Sequence, residues 1–348
     1  MPRPLGVEGS IVSALNDVAR IAGVSKATAS RALSGRGYVS LATRDRVVAA
    51  AAELGYVVSS NASSLVTGHT RNVGIVIPHI NRWYFGEVLE GIESELVTSG
   101  YDLTLYQLSA DADERRKVFE YFLVRKRVDA VISVGIEASR HEVGLLRALG
   151  KPIVGIGGPI AGIATLSIDD VAASALITHH LISLGHTRIV HLGGNQSQEM
   201  DFRVHTQRLT GFQQAMDAAG LDSSAAFVVT ALSIPGGYAG ALAVLADPRS
   251  RPTAIVAGSD EVAIGAIVAA RQLGIQVPAQ LSVIGIDGHE LGEMFGLTTL
   301  AQDPEAQGRT AVRLIMDELM HAPLGTRSDW RAHPARLIVR SSTTAPPQ

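Results

Sequence analysis

The chain has 348 residues, of which 46% are hydrophobic and 18% charged, so it can bury a sizeable core and wholesale disorder is excluded. This length predicts two or three domains. The absence of cysteine excludes disulfide scaffolds, thiolate metal sites and a cysteine nucleophile. No apolar run reaches 18 residues and the amino end, MPRPLGVEGS, does not resemble a signal peptide, so we expect a soluble cytoplasmic protein.

Charge is distributed unevenly along the chain. Residues 1–70 carry a formal charge of +3, which leaves −6 on the remainder of a chain whose net charge is −3. A basic head on an acidic body is typical of a protein whose head meets phosphates. Chance fluctuation over a short stretch is the alternative interpretation.

Residues 15–55 predict three short helices: one through Leu15, Val18, Ile21 and Ala22, a second from Lys26 to Leu33, and a third from Leu41 to Leu54. Gly23 permits a sharp turn after the first helix. Ser25 and Ser40 stand where the N-caps of the second and third helices are expected. This is the pattern of a helix-turn-helix unit.

A small, polar linker is expected over 59–70, because SSNASSLVTGHT contains few residues that could enter a core. Beyond it, apolar strand-like runs alternate with amphipathic helices. The strands are predicted at 73–78, 102–107, 130–134, 153–156, 189–192, 227–230, 254–257 and 282–286, and the main helices at 85–98, 172–183, 208–218, 238–246 and 261–272. Such alternation predicts doubly wound parallel sheets, and about 278 residues favours two lobes.

The head contains D-V-A-x-x-A-G-V-S-x-x-T-x-S-R-x-L, followed by V-S-x-x-T-R-x-R-V and L-G-Y, between Asn16 and Tyr56. This stretch resembles the head of the lactose/galactose repressor (LacI/GalR) family. The resemblance implies that the second helix enters the major groove of DNA. The alternative is a helix-turn-helix that serves only as a protein contact.

The predicted DNA-binding residues open the second helix: Ser25, Lys26, Ala27, Thr28, Ser30 and Arg31. By the resemblance, Lys26, Ala27 and Arg31 face base edges, whereas Thr28 and Ser30 lie nearer phosphates. Arg31 is the strongest candidate for bidentate recognition of guanine. Ala27 can offer only an apolar contact, such as one to a thymine methyl group.

The family's hinge becomes helical on DNA and wedges a leucine into the minor groove, and Leu65 stands at that leucine position. The hinge departs from the family pattern, with Val58-Ser59 for the usual Pro-Asn and Ser63 for a basic residue. Its Ser, Asn and Thr content predicts disorder in the free protein. A chance apolar residue in a linker is the alternative for Leu65.

Six further segments, at 67–78, 181–194, 208–212, 252–266, 278–288 and 297–303, resemble the family's core, which is similar to periplasmic sugar-binding proteins with ligand between two lobes. The predicted division is a head at 1–57, a hinge at 58–70 and a core at 71–348. Within the core, we expect lobe one at 71–168 plus 298–329 and lobe two at 169–297 plus 330–344.

The cleft is expected at the carboxyl ends of the parallel strands, where polar side chains cluster. The candidate effector-binding residues are Trp83, Tyr84, Arg208, Ser259, Asp287 and Gln302. Asp287 follows a strand and can accept two hydroxyl hydrogen bonds. By the resemblance, Arg208 corresponds to an arginine that family members aim into the pocket, and Gln302 to a polar residue of a segment that crosses between the lobes. Ser259 occupies a position at which the family often has a larger polar side chain. Trp83 and Tyr84 offer flat faces to a ring.

Structural roles compete with each of these assignments. Asp287 could cap a helix or join an interlobe salt bridge, Arg208 could form a surface ion pair, and Phe85 is better suited to a core. His179, His180, His186 and His191 do not have metal-site spacing, and no nucleophile elbow or catalytic acid pair is present, so we predict neither a metal, a cofactor nor an enzyme.

Together these features predict a sequence-specific transcriptional regulator, a repressor, that binds pseudo-palindromic double-stranded operator DNA as a homodimer. A sugar or related metabolite in the interlobe cleft would set its affinity. A dimer is preferred to a tetramer because the sequence shows no leucine heptads after Thr344. The alternative is a solute-binding protein of sugar transport with no role on DNA.

Overall fold

The structure, a computed structural model, describes residues 15–34, 37–56, 69–108, 111–123, 125, 128–195, 203–221, 226–320 and 330–347. Contacts divide the chain into two compact units, Met1–Arg71 and Asn72–Gln348. None of the helices in the described ranges is long and apolar enough to cross a membrane.

The described residues of the first unit form three helices, α1 (Leu15–Ile21), α2 (Lys26–Ser34) and α3 (Leu41–Glu53), as the sequence predicted. Small residues let the helices approach closely around a core that includes Val18, Ala29, Ala32, Val47 and Ala51. Ile21 was expected on the inner face but is 40% exposed, whereas Val18 and Ala19 of α1 and the following Ala22 are buried.

The turns of this unit follow from single residues. Gly23 has φ +64°, a conformation that costs glycine little. Ser25 Oγ accepts from the backbone N–H of Thr28 at 3.1 Å and Ser40 Oγ from that of Thr43 at 3.3 Å, so both serines cap their helices as predicted.

The second unit contains twelve strands and eight α-helices in the described ranges, beside one π-helical and one 3₁₀ segment. They are β1 Asn72–Ile77, α4 Trp83–Thr98, β2 Asp102–Gln107, α5 Ala112–Arg116, the π-helical Lys117–Phe122, β3 Ala130–Val134, α6 Arg140–Ala148, β4 Ile153–Ile156, β5 Ala164–Ser167, α7 Asp170–Ser183, β6 Ile189–Gly193, α8 Val204–Ala218, β7 Phe227–Val229, α9 Ile234–Leu245, β8 Ala254–Ala257, α10 Asp260–Gln272, β9 Ser282–Asp287, the 3₁₀ Glu290–Gly292, β10 Thr298–Gln302, α11 Pro304–Met320, β11 Trp330–Ala332 and β12 Ala335–Ile338.

Two six-stranded sheets form two lobes, in the orders β11-β5-β4-β3-β1-β2 and β12-β10-β9-β8-β6-β7. All pairs are parallel except β10 with β12. Each sheet has an apolar cluster on both faces: α4 and α11 cover one face of the first sheet, while α9–α10 and α7–α8 cover the two faces of the second. The predicted fold class, a helical head with a two-lobed doubly wound core, is confirmed.

The lobe boundaries differ from the prediction. Residues 298–329 were assigned to lobe one, but β10 pairs in parallel with β9 and therefore belongs to lobe two; the chain crosses back after Gln302. Conversely, 330–332 was assigned to lobe two, but β11 pairs with β5 of lobe one. Strands β5, β10, β11 and β12 were not predicted, because they are short and mix polar with apolar residues.

Helices α4 and α11 cross in close contact through two glycines. A Cβ on Gly308 would lie 2.3 Å from Val88 O, and one on Gly91 would lie 2.0 Å from Glu305 O. The missing side chains therefore allow these backbones to touch near the middle of α4.

We expect Gly308→Ala to destabilise lobe one by about 1–3 kcal/mol, because the added methyl group must push one backbone away from another. Gly144→Ala is the matched control, since a Cβ there meets nothing within 4 Å and alanine favours a helix. Urea unfolding of both variants tests this; equal stability of the two would contradict the crossing geometry.

Candidate functional sites

The amino-terminal half of α2 presents a polar surface to solvent. Ser25, Lys26, Ala27, Ser30 and Arg31 are exposed, and Thr28 is half-buried. Ala29 and Ala32, on the opposite side of the helix, are buried in the core of the unit. The six predicted DNA-binding residues of this helix therefore lie on one end and one side of it.

Arg31 is held along this surface by its own helix. Its Nε donates to Ala27 O at 3.3 Å, and one terminal nitrogen lies 3.5 Å from Thr28 Oγ1. Thr28 Oγ1 is in turn 2.9 Å from Ser25 Oγ. A planar guanidinium with further donors free to turn outward has the geometry that bidentate recognition requires.

Sequence reasoning missed Tyr38, which is 94% exposed in the turn before α3. A Cβ on the adjacent Gly37 would lie 3.3 Å from the Arg31 side chain, so this turn borders the end of α2. An aromatic residue in a Gly-rich turn beside a basic helix was the available signal. Leu65 and the rest of 57–68 lie outside the described residues.

In the second unit, the two lobes enclose a cleft of about 580 Å³. It lies at the carboxyl ends of the strands, as predicted for parallel sheets. Five of the six predicted effector residues line it, namely Tyr84, Arg208, Ser259, Asp287 and Gln302.

Arg208 is the centre of a buried charge cluster in the cleft. Its Nε donates to Asp170 Oδ1 at 2.7 Å, Nη1 donates to Gly258 O, and Nη1 lies 3.8 Å from Asp287 Oδ1. The residue is only 7% exposed, so the alternative of a surface ion pair is wrong. Burial alone would lower the pKa of Arg208, but Asp170 and Asp287 raise it, which keeps the guanidinium charged.

Asp287, in this cluster, and Asp260, beside it, are buried carboxyl groups with raised pKa values. Burial raises the pKa of Asp287 to about 6, while Arg208 opposes the rise. Burial and the charge of Asp287 raise the pKa of Asp260 to about 7. Asp260 Oδ2 accepts from Gly288 N, His289 N and Thr299 Oγ1, but Oδ1 has no partner among the described residues.

We expect the protein to lose stability as the pH rises through about 6 to 7. Because both pKa values are higher in the folded chain than the ordinary 3.8, folding is favoured when these groups are protonated and the advantage disappears above their folded pKa values. The unfolding midpoint should fall less between pH 5 and pH 8 in Asp260→Asn than in wild type. The exposed substitution Asp102→Asn should leave the wild-type slope; identical slopes in all three proteins would contradict the prediction.

Gln302 and Ser259 have defined partners in the cleft wall. Gln302 Nε2 donates to Asp287 Oδ1 at 2.9 Å. Ser259 Oγ accepts from Val262 N at 3.3 Å and thereby caps α10, so its hydroxyl proton can point toward the cleft.

Trp83 does not line the cleft, in contrast to its predicted role. Its indole stacks on His289 with centroids 4.6 Å apart, and it borders a separate shallow depression with Glu87 and Asp303. Trp83 and Tyr84 are both part of α4, in which successive side chains are rotated by about 100° around the helix axis. The two side chains therefore point in different directions, and Tyr84 is the one that faces the cleft.

Several cleft residues were missed or assigned to the core. Phe85 lines the cleft while also packing on the core of lobe one, and His79 meets it edge-on at 5.9 Å. Asp170, His205 and Glu261 complete the polar wall. Asp170 and Glu261 stand at helix starts that follow strands, which was the signal available in the sequence.

Two histidines outside the cleft, His186 and His191, have packing roles. His186 contacts Thr253 and Ser282 through its ring nitrogens. His191 is stacked between Phe212 and Phe227, and burial lowers its pKa to about 4. In the described part of the chain, no three His, Asp or Glu side chains are grouped to hold a metal.

Comparison with known proteins identifies the parts of the chain. Residues 14–59 match the description "Bacterial regulatory proteins, lacI family" and residues 178–343 match "Periplasmic binding protein-like domain". The HTH-type transcriptional repressor PurR of Vibrio vulnificus is 30% identical over 344 residues, which cover 95% of this chain and 98% of PurR. The chain belongs to the lacI family of bacterial regulatory proteins. This lacI-family protein is a DNA-binding transcriptional regulator, and its relatives are regulators rather than enzymes.

Solved structures share the architecture of this lacI-family protein. The transcriptional regulator CelR–cellobiose complex is 26% identical, with a TM-score of 0.68 over 95% of this chain and 99% of CelR. The lac repressor dimer bound to operator and the anti-inducer ONPF is 24% identical, with a TM-score of 0.83 over 96% of this chain and 99% of the repressor. The second likeness concerns the fold.

Proposed function

We propose that this lacI-family protein is a repressor that binds a pseudo-palindromic operator as a homodimer in the cytoplasm, associated with the nucleoid, and that a small metabolite in the interlobe cleft sets its DNA affinity. The observation that carries the proposal is the exposed polar end of α2 in a chain that also has an interlobe cleft lined by the buried charged residues Asp170, Arg208 and Asp287. The proposed division of labour is a head at 1–57, a hinge at 58–70 and a core from 71.

On DNA, Lys26, Ala27 and Arg31 face base edges in the major groove, and Ser25, Thr28 and Ser30 bind phosphates. Tyr38 joins this surface from the neighbouring turn, where a fully exposed phenol can donate to a phosphate oxygen. Leu65 enters the minor groove between the paired hinges. Two-fold symmetry of the dimer then matches two half-sites one helical turn apart.

In the cleft, Tyr84, Arg208, Ser259, Asp287 and Gln302 hold the effector, with Phe85 as a flat apolar wall. The volume of about 580 Å³ suits a sugar, a nucleobase or a nucleoside. When the effector binds between the two lobes, it changes how far the lobes close on each other. This movement determines whether the two hinges of the dimer can pair on DNA. No cofactor and no catalytic step are part of this function.

Selection of duplexes from a random library by the purified protein tests the proposal. We expect enrichment of an inverted repeat with half-sites one helical turn apart, at low salt and in the presence or absence of metabolites. A pool that stays random would contradict the DNA function and would favour the alternative of a transport-type binding protein.

A thermal-shift screen of sugars, sugar phosphates and nucleosides then tests the cleft. An effector should raise the unfolding midpoint of wild type but not of Asp287→Asn, and it should change affinity for the selected duplex. A compound that stabilises both proteins equally binds elsewhere and counts against the assigned site.

A further inference from the structure

A continuous chain of hydrogen bonds, buried except at its Tyr84 end, runs from Tyr84 of lobe one to Asp287 of lobe two. Tyr84 Oη donates to Gln307 Oε1, Gln307 Nε2 donates to Gln302 Oε1, and Gln302 Nε2 donates to Asp287 Oδ1, each at 2.9 Å. Tyr84 lies on α4 and Gln307 on α11, whereas Gln302 and Asp287 end two strands of the second sheet. The chain therefore crosses between the lobes beside the cleft.

Each bond of this chain fixes the direction of the next. An ionised carboxylate only accepts, so Gln302 must turn its amide nitrogen toward Asp287 and its oxygen toward Gln307. Gln307 then turns its nitrogen to Gln302, and its oxygen is left to accept from Tyr84. Arg208 Nη1 lies 3.8 Å from Asp287 Oδ1 and favours the ionised form of this carboxylate, from which the order of the hydrogen bonds follows.

Burial makes the donor-to-acceptor direction of these hydrogen bonds costly to reverse. Gln307 is fully buried, and Gln302 and Asp287 are 8% and 7% exposed, so solvent cannot replace a lost partner. The single proton of the Tyr84 hydroxyl is therefore committed to Gln307, and only the lone pairs of Tyr84 Oη remain for the cleft.

We propose that Gln307 is a positioning residue that fixes Tyr84 as a hydrogen-bond acceptor, so that the effector meets Tyr84 and Asp287 with hydroxyl or amino donors. This inference rests on the cleft being the effector site. It deepens that proposal by naming the chemistry of one end of the ligand. A carbonyl, carboxylate or phosphate oxygen placed there would face acceptors alone.

The hydrogen bonds from Tyr84 to Asp287 can be examined without effector or DNA. A negative result for these bonds is therefore distinguishable from a failure of the proposed function. Resonance Raman difference spectra, wild type minus Tyr84→Phe, report whether the Tyr84 phenol donates or accepts. We expect the donor signature in wild type and its loss in Gln307→Met, whose unfolding midpoint should fall by about 4 °C or more. A wild-type signature without donation, or one unchanged in Gln307→Met, would overturn the proposal.

Gln307→Glu supplies a rescue that a merely structural role would not show. Its carboxyl oxygen can accept from the Tyr84 hydroxyl in either protonation state, so the donor signature that is lost in Gln307→Met should return at pH 7 and at pH 8. Loss of the donor signature at both pH values would contradict the assignment. If a variant fails to fold, neutron diffraction from wild-type crystals shows directly whether the Tyr84 hydroxyl hydrogen points to Gln307, and any other direction overturns the chain.

Two solvent probes of one skeleton test the donor requirement in wild-type crystals. Ethylene glycol carries hydroxyl donors, and 1,2-dimethoxyethane carries only acceptors. We expect a hydroxyl of ethylene glycol within hydrogen-bond distance of Tyr84 Oη and of the second carboxylate oxygen of Asp287. Absence of ethylene glycol from these atoms, or a dimethoxyethane oxygen against Tyr84 Oη, would overturn the inference.

Discussion

Arg31→Lys is expected to keep the charge of the head but to lose about 1–3 kcal/mol of discrimination between the selected operator and a duplex changed at the contacted base pair. Lysine is a point donor and cannot form the two parallel bonds that a guanidinium makes to one guanine. Arg31 lies exposed on α2, where its guanidinium donates to Ala27 O and Thr28 Oγ1 of the same helix, so substitution should not disturb the core of the head.

Titration of the two duplexes at several salt concentrations measures this effect. Arg31→Lys should retain the salt dependence of wild type, because the number of cations is unchanged, whereas Arg31→Ala should lose discrimination and also flatten the salt dependence. Equal discrimination by wild type and Arg31→Lys would show that Arg31 contacts only phosphate.

Arg208→Met should destabilise the second unit by about 3–5 kcal/mol and abolish the response to effector. Methionine fills a similar volume, but it leaves the carboxylates of Asp170 and Asp287 buried without their cation. The unfolding midpoint and the effector-induced shift of that midpoint are the two measurements.

Two controls separate loss of the charge cluster from general damage. Arg313→Met removes an exposed pair with Glu95, and the midpoint should not change. The double variant Arg208→Met with Asp287→Asn should recover part of the lost stability, because one of the two stranded charges is gone. A double variant as unstable as the sum of the single changes would contradict the coupling.

The head could be predicted closely because its structure depends on local signals. Ser25 and Ser40 cap their helices, Gly23 turns the chain, and the apolar positions follow the helical period. The strands of the core that are uniformly apolar were found for the same reason. Strand β5 was missed because Ala-Thr-Leu-Ser lacks such a pattern, and with it the site residue Asp170 that opens the next helix.

The cleft could be predicted only in part, because its geometry depends on the starts of helices and on distant partners. Placing the start of α4 at Phe85 instead of Trp83 hid that Tyr84 and Trp83 point in different directions. Tyr84 and Gln307 are 223 positions apart, so no local pattern indicates their bond. Arg208 was found because it lies in a segment that resembles the family, and Asp287 because it follows a predicted strand.

Sequence-specific reading of an inverted repeat by α2 is tested most directly by the affinity of the full-length wild type for the selected duplex. We expect affinity for that duplex at least about 10³-fold greater than for the same duplex with one half-site scrambled, falling steeply with salt for both. Equal affinity for the two duplexes at every salt concentration, with and without effector, would contradict the account.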